Sequence, residues 1–416
     1  MEQQPEGKKS PRVRKIVMLN EHEWLHESFA TKQMNIAEGQ LESRVRTPGM
    51  QFETMGYPIQ IDKTFAVAAE FEDEGAVERF VAENPNDVDT VFSDAEISPF
   101  NPVCPNNAVG NDQDVRNALN LLPLTSAGAQ GTGVRIVIVD TGIDGSQINV
   151  VGGYNPRPGI SPGTAPPDHG TMVAFDALIA APQAMIFDYA LLQSQGGMWV
   201  GFLSDAIRAF SEIMVDHLAD PGPLVAVNSW GMYDTSTDAP VGNPQNYSSN
   251  PTHPFNQITA ALVGSGVDVV FAAGNCGSTC PAGFCGSNDI GPGNSILGAN
   301  SHPDVVSVAA VTVNHDMLGY SSEGPGTLAN SKPDIAGFSH FKGSGVSSID
   351  TGTSAACPVV AGVIAAIRSS QKGRNLSPQD MKDFLLQNAN AMHGGGWDPQ
   401  FGAGIVDAGT AFNAIP

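Results

Sequence analysis

Apolar positions fall into two patterns along the chain. In the first part the runs are short: Val13–Leu19 (VRKIVML) and Phe65–Phe71 (FAVAAEF) read as strands, and Val88–Phe92 resumes strand character. Between the last two, Asp73–Asn84 (DEGAVERFVAEN) sets Val77, Phe80 and Val81 on one face and predicts an amphipathic helix. A further helix is predicted around Glu23–Met34. A strand–helix–strand module of this length suits a small α+β domain.

From Val134 onward the pattern changes. Val134–Val139 (VRIVIV), Ala184–Leu192, Leu224–Asn228, Val267–Ala273 and Val305–Val311 are near-continuous apolar runs. Such runs suit strands buried on both faces of a parallel sheet. Helical patterns fall at Met172–Ala180, Val200–Leu218, Pro254–Gly264, Ser354–Ser369 and Pro378–Ala389. The alternation predicts an α/β fold with a mainly parallel central sheet flanked by helices. The implied layout is a polar, disordered tail (1–12), the α+β module (13–98), a connector (99–131) and the large domain (132–416). The connector holds Pro99, Pro102 and Pro105, a short helical stretch at Asp112–Leu121 and a Gly-rich end. Residues 232–253 are a polar loop, expected at a rim.

Composition narrows the function. Of 416 residues 41% are hydrophobic, enough for a sizeable core, and only 15% are charged. A net charge of -23 argues against nucleic acid and against an anionic membrane surface as partners. No apolar stretch is long enough to span a bilayer. Lys8, Lys9, Arg12, Arg14 and Lys15 precede no apolar leader segment, so the sequence as written reads as cytoplasmic.

The five cysteines leave at least one thiol unpaired in a monomer. Cys276, Cys280 and Cys285 share a Gly-rich loop. Three reduced thiols fit the missing leader; a local disulfide is the alternative. Zinc is disfavoured, because no second close pair of Cys or His completes a tetrahedral set.

Four residues stand where chemistry is usually built. Asp140 ends the first strand of the large domain, and strand carboxyl ends are where α/β sites form. His169 opens a helical run, a poor place to hold positive charge, and a neutral imidazole can act as a general base. Ser354 precedes a helix apolar nearly all round; Pro358 is tolerated only in a first turn, which places the helix start close to Ser354. Free N–H groups at such a start bind anions. Asn275 ends the strand VVFAAGN, where its amide can donate to a developing oxyanion. Each alone also fits a cap, a turn or a surface residue.

Together they resemble one family, the subtilisin-like serine peptidases. IVDTGID resembles its Asp motif, HGTMVA its His motif, GTSAACPVVAG its Ser motif, AAGN its oxyanion motif and NSWG its specificity-pocket strand. The order Asp, His, Ser is that of subtilisin, which serves as a standard example of this triad. The resemblance covers roughly residues 112–413. It implies a subtilisin-like three-layer fold and a serine endopeptidase working through an acyl-enzyme on a polypeptide substrate. Ser354 would be the nucleophile, His169 the general base and Asp140 its orienter. Asn275 and the Ser354 N–H would form the oxyanion hole. Ser229, Trp230, Gly231, Ala273 and Gly274 would contact substrate, with Trp230 narrowing or walling the first pocket. Gly196 and Gly197 would form the opposite edge.

No cofactor is implied as required, and no metal ligands are assigned. The His-motif helix runs straight through Ala174–Pro182 without the calcium-binding insertion of many members; calcium elsewhere is left open. Met172 stands where a second His is common, a packing change, and Cys357 where Thr is common, an inert buried thiol. A Cys276 thiol beside Asn275 would make the site sensitive to oxidation or mercurials. The N-terminal module resembles the family's ferredoxin-like propeptide. It would act as an intramolecular inhibitor, released by cleavage between about Ser98 and Gly110; a permanent accessory domain is the alternative. A peptide ligase on the same fold is the competing activity.

Overall fold

The computed structural model describes residues 12–20, 59–61, 64–99, 107–155, 161–195 and 198–416. The helix expected around Glu23–Met34 lies outside them. The chain divides into two compact units, residues 1–95 and 96–416.

The first unit holds strands β1 (Val13–Leu19), β2 (Ile59–Ile61), β3 (Thr64–Phe71) and β4 (Val88–Ser93), in the order β2-β3-β1-β4. β1 runs antiparallel to both β3 and β4. Alternation puts Val17 and Leu19 on one face, with Phe65, Val67, Ala69, Val88 and Val91. The helix Glu74–Glu83 adds Val77 to that cluster. Asp73 caps it, accepting from the Ala76 N–H at 2.7 Å.

The second unit adds β5 (Glu96–Pro99), β6 (Arg135–Asp140), β7 (Val150–Tyr154), β8 (Met185–Ala190), β9 (Gln193–Gln195), β10 (Met198–Phe202), β11 (Leu224–Asn228), β12 (Trp230–Gly231), β13 (Asp268–Ala272), β14 (Val306–Val311) and β15 (Ile335–Phe338). Seven form a sheet in the order β15-β14-β13-β11-β6-β8-β7, and every pairing in it is parallel. β6, β11, β13, β14 and β15 are buried along their whole length, which their apolar runs require.

The helix Thr353–Arg368 is buried at all 16 positions. It lies against the helix His169–Leu178 so closely that a Cβ on Gly362 would sit 2.2 Å from the Ala177 carbonyl oxygen. Small residues in both helices permit that approach. A second sheet, β12-β5-β10-β9, is antiparallel throughout.

Several expectations shift. The connector's single helix is two, Asp112–Ala118 and Leu122–Ser126, separated where Asn120 takes a φ of 56°. The helix expected from Val200 starts at Leu203, because Val200–Phe202 end β10. Pro358 stands in the second turn of its helix, five residues beyond its first residue, Thr353, not in the first turn. The Ser354 carbonyl, four residues before Pro358, accepts instead from Ser229 Oγ at 3.0 Å.

Candidate active site

The carboxyl ends of β6, β11 and β13 bring the sequence motifs to one edge of the parallel sheet. Asp140 is the last residue of β6 and is fully buried. Its Oδ1 accepts from the Thr141 N–H at 2.7 Å and meets His169 Nδ1 at 2.8 Å. A carboxylate only accepts, so Nδ1 carries a hydrogen, and in the neutral imidazole Nε2 then presents a lone pair. That Nε2 is buried and has no hydrogen-bond partner.

His169 is the first residue of its helix, behind the cap Asp168. The chain reaches this position through a glycine contact: a Cβ on Gly170 would lie 2.5 Å from the Gly142 carbonyl oxygen. Gly142 itself has a φ of 101°, which favours glycine. Asp168 also accepts from Trp199 Nε1 of β10 at 3.0 Å, tying that strand to the start of the histidine helix.

Ser354 is the second residue of the buried helix, so its N–H has no carbonyl one turn back within the helix. Its Oγ donates to the Ser229 carbonyl at 3.2 Å. Asn275 Oδ1 accepts from Thr353 N at 2.9 Å and Thr353 Oγ1 at 3.1 Å. A backbone N–H can only donate, so the amide orientation is fixed. Asn275 Nδ2 is left buried with no acceptor. Unsatisfied buried donors are rare in folded proteins and call for an explanation. Cys357 is fully buried, and burial pushes its thiol up to about 12, which leaves it inert.

Between β10 and β12 lies β5. Pro99 pairs with Trp230, Ser98 with Gly231, Ile97 with Gly201 and Glu96 with Phe202. The Ile97 side chain is buried, and it and Leu192 would be the first atoms met by a Cβ on Gly201. Tyr233 donates its hydroxyl to the Pro99 carbonyl at 2.7 Å.

Trp230, expected to narrow or wall a pocket, exposes none of its side chain. Its indole is buried in the core, donating to the Val139 carbonyl at 2.8 Å and packing on Phe271 and Phe255. It offers β5 its backbone. Ala273 and Gly274 are buried beside Asn275, with the Gly274 N–H donating to Thr353 Oγ1 at 3.1 Å. Gly196 and Gly197 lie outside the described residues; the edge itself is β10, immediately after them.

The loop after Asn275 corrects another expectation. Cys276 and Cys285 form a disulfide, and Cys280 is disulfide-bonded too. The loop folds back until the Cys276 and Cys285 Cα atoms are 5.8 Å apart, so the three are not reduced thiols. With no Cys276 thiol present, thiol-based sensitivity at that residue is ruled out for the oxidised chain.

Comparison with known proteins decides the family. The subtilase family model matches residues 131–404, well over half of the chain. The chain belongs to the subtilase family. This subtilase is 28% identical to alkaline elastase YaB of Bacillus sp. (strain YaB) over 299 residues, covering 69% of this chain and 66% of that one. It is 28% identical to fervidolysin of Fervidobacterium pennivorans over 311 residues, covering 67% and 40%. It is 26% identical to subtilisin DY of Bacillus licheniformis over 295 residues, covering 68% and 92%. Among solved structures it resembles fervidolysin, described as a keratinolytic enzyme related to subtilisin, with a TM-score of 0.63 at 17% identity, covering 98% of this chain and 62% of that one. The subtilase therefore spans less than two thirds of several relatives it matches. The three-layer α/β fold is that of the subtilisins.

Sequence reasoning missed several residues that hold the site. Asn300, buried, donates from Nδ2 to the Trp230 and Ala272 carbonyls, both at 2.9 Å, and so joins β12 to β13. It stands in a stretch where no motif aligned. Tyr320 and Ser339 hold Gly352, the turn before Thr353: Gly352 N donates to Tyr320 Oη at 3.1 Å, and Ser339 Oγ donates to the Gly352 carbonyl at 2.7 Å. Neither carries a local signal, because each acts from a distant part of the chain.

Proposed function

We propose that this subtilase is a serine endopeptidase that hydrolyses polypeptides, with Ser354 as nucleophile, His169 as general base and Asp140 as its orienter. The observation that carries this reading is β5. A stretch of extended polypeptide is seated by backbone pairing between β10 and β12, beside Ser354, as a peptide substrate would be. The histidine tautomer supports the base role: the imidazole has its Nε2 lone pair available and its Nδ1–H held by a carboxylate. Ser354 would attack the scissile carbonyl while His169 takes its proton. The oxyanion would be held by Asn275 Nδ2 and the Ser354 N–H, and His169 would return the proton to the leaving amine.

The same strand supports a precursor. β5 directly follows the N-terminal module in sequence and runs antiparallel to β12, toward Ser229. Ser229 is bonded to Ser354 in both directions. We infer that self-cleavage falls in the connector, between about Ser98 and Gly110, and that the module with its tail acts as the intramolecular inhibitor.

Intact mass of the full-length chain after fluorophosphonate treatment tests both parts, with Ser354→Ala as control. A single adduct on a species that has lost roughly the first 100 residues, with an unlabelled and uncut control, is expected. No adduct after removal of the first 100 residues by a second protease would overturn the nucleophile. An adduct on a chain that stays uncut would overturn the precursor and leave a permanent accessory module.

A further inference from the structure

Two carboxyl groups outside the triad meet where the histidine helix passes the loop leading to Ser354. Asp176 lies on the helix His169–Leu178, and Asp350 precedes Ser354 by four positions. Both residues are fully buried. Among the described residues no N–H or O–H group donates to either carboxylate oxygen of Asp176. The carboxyl of Asp350 faces it within hydrogen-bonding reach. Asp350, in contrast, accepts from Ser344, its Oδ1 from Ser344 Oγ at 2.6 Å and its Oδ2 from the Ser344 N–H. The loop is pressed close: a Cβ on Gly343 would lie 2.5 Å from Asp350 Oδ2 and 3.1 Å from the Phe175 ring.

On the loop that pairs with Asp350, His340 is engaged with Thr351 Oγ1 and the Asn107 carbonyl, and Lys342 is exposed. The helix Asp112–Ala118 contributes Asp112, a third carboxylate acting on both groups. Its Arg116 is 3.9 Å from Asp112 and donates to the Ile179 carbonyl. The buried helix carries no charged side chain from Thr353 to Ile367. β6 contributes Asp140, which is engaged with His169. Among the described residues no Lys, Arg or His forms an ion pair with Asp176 or Asp350. Two bare carboxylates in contact, without water or counter-charge, are strongly disfavoured. With both ionised neither has a hydrogen to give; a single proton makes the contact a hydrogen bond.

We propose that Asp176 and Asp350 share one proton, carried by Asp176 and donated to Asp350, and that this proton clasps the histidine helix to the serine loop. Asp350 keeps the charge because it holds the two Ser344 donors. Burial raises both carboxyls above the ordinary range, and their proximity to each other and to Asp112 adds to this for Asp176.

The sign follows from linkage. The folded chain keeps a proton that the unfolded chain releases at ordinary carboxyl pH. The clasp's stability is therefore complete below the ordinary carboxyl range and is lost as pH rises through the folded value. In that window each pH unit lowers the folding equilibrium about tenfold. Losing the proton also sets two negative charges between the carriers of His169 and Ser354. That catalytic consequence rests on the proposed triad, whereas the stability consequence does not.

Thermal unfolding of the full chain across pH tests the clasp. A Ser354→Ala background prevents self-digestion, and turnover is measured in parallel with Ser354 intact. Asp176→Asn, whose amide donates permanently, is expected to match the parent Tm in acid, to lose the alkaline decline, and to carry activity about one pH unit or more further into alkali. Asp350→Asn turns an amide against the Ser344 donors and is expected to lower Tm at every pH. An unchanged alkaline slope in a folded Asp176→Asn chain overturns the proposal. So does metal analysis finding one bound cation per parent chain that Asp176→Asn loses. If Asp176→Asn does not fold, infrared spectroscopy of the parent decides: a protonated carboxyl band persisting near neutral pH supports the clasp, and its absence overturns it. If Tm behaves as expected while no variant hydrolyses peptides, the activity assignment fails and the clasp stands.

Discussion

Asn275 illustrates how a single side chain is prepared for one task. Its oxygen is claimed by the two donors of Thr353, so its NH2 group must face the other way, where nothing among the described residues accepts from it. A donor left buried and unpaired raises the free energy of the resting protein and favours the state that brings an acceptor. Asn275→Ala is expected to lower kcat by about 10²–10³ while KM stays nearly constant, measured on a peptide substrate with the processed enzyme. A fall in kcat under threefold would separate Asn275 from oxyanion binding. The motif AAGN pointed to this residue, but the reason its amide faces one way is Thr353, 78 positions along the chain.

At the scale of elements, the serine helix contains a defect repaired from another strand. Pro358 cannot donate to the Ser354 carbonyl, and Ser229, just before β12, does so instead. The same Ser229 accepts from Ser354 Oγ through its own carbonyl. Ser354, the proposed nucleophile, and the segment leading into β12 are thus held in mutual register. Ser229→Ala is expected to cost about 1–3 kcal/mol of stability, because it leaves a buried carbonyl unpaired. In a Pro358→Ala background the helix regains its own donor, and the same substitution should cost roughly 1 kcal/mol less. Denaturant unfolding of the four inactive Ser354→Ala chains would show this coupling; strict additivity would mean that Ser229 does not replace the missing N–H. The sequence placed Pro358 correctly as a helix marker but put it in the wrong turn. A proline deeper in a helix is tolerated only when a donor arrives from elsewhere, and that donor is invisible locally.

Across the larger unit, the two ends of the buried helix have separate duties. Its beginning carries Ser354. Its last residue, Arg368, makes a two-pronged pair with Asp268 at the start of β13, at 2.7 and 2.8 Å, and also donates to the Gly373 and Leu376 carbonyls. Both partners are almost wholly buried. Removing one leaves an uncompensated charge in the core, so Asp268→Ala is expected to cost about 3–5 kcal/mol. Because the pair lies at the far end of a 16-residue helix, kcat and KM of the folded fraction should stay within twofold of the parent at 25 °C. A large drop in kcat with little loss of Tm would show that this end of the helix also sets the geometry around Ser354.

The sequence alone determined the α/β class, the order of most elements and the identity of the residues at the strand ends. These follow from local rules: apolar runs mark buried parallel strands, helical spacing marks amphipathic helices, and short motifs mark the turns that must stand at a sheet edge. Tertiary structure decided the rest. Glu96–Pro99 straddles the expected end of the N-terminal module and start of the connector but becomes a strand of the larger unit, because the strands on either side satisfy its backbone. Trp230 reads as a pocket wall but faces the core, since an indole that size gains more from burial against Phe255 and Phe271. Cys276 and Cys285 read as thiols but are joined, because loop closure depends on a path that spacing does not encode. The contact of Asp176 with Asp350 joins residues far apart in sequence, and only packing brings two acids of like charge to one buried point.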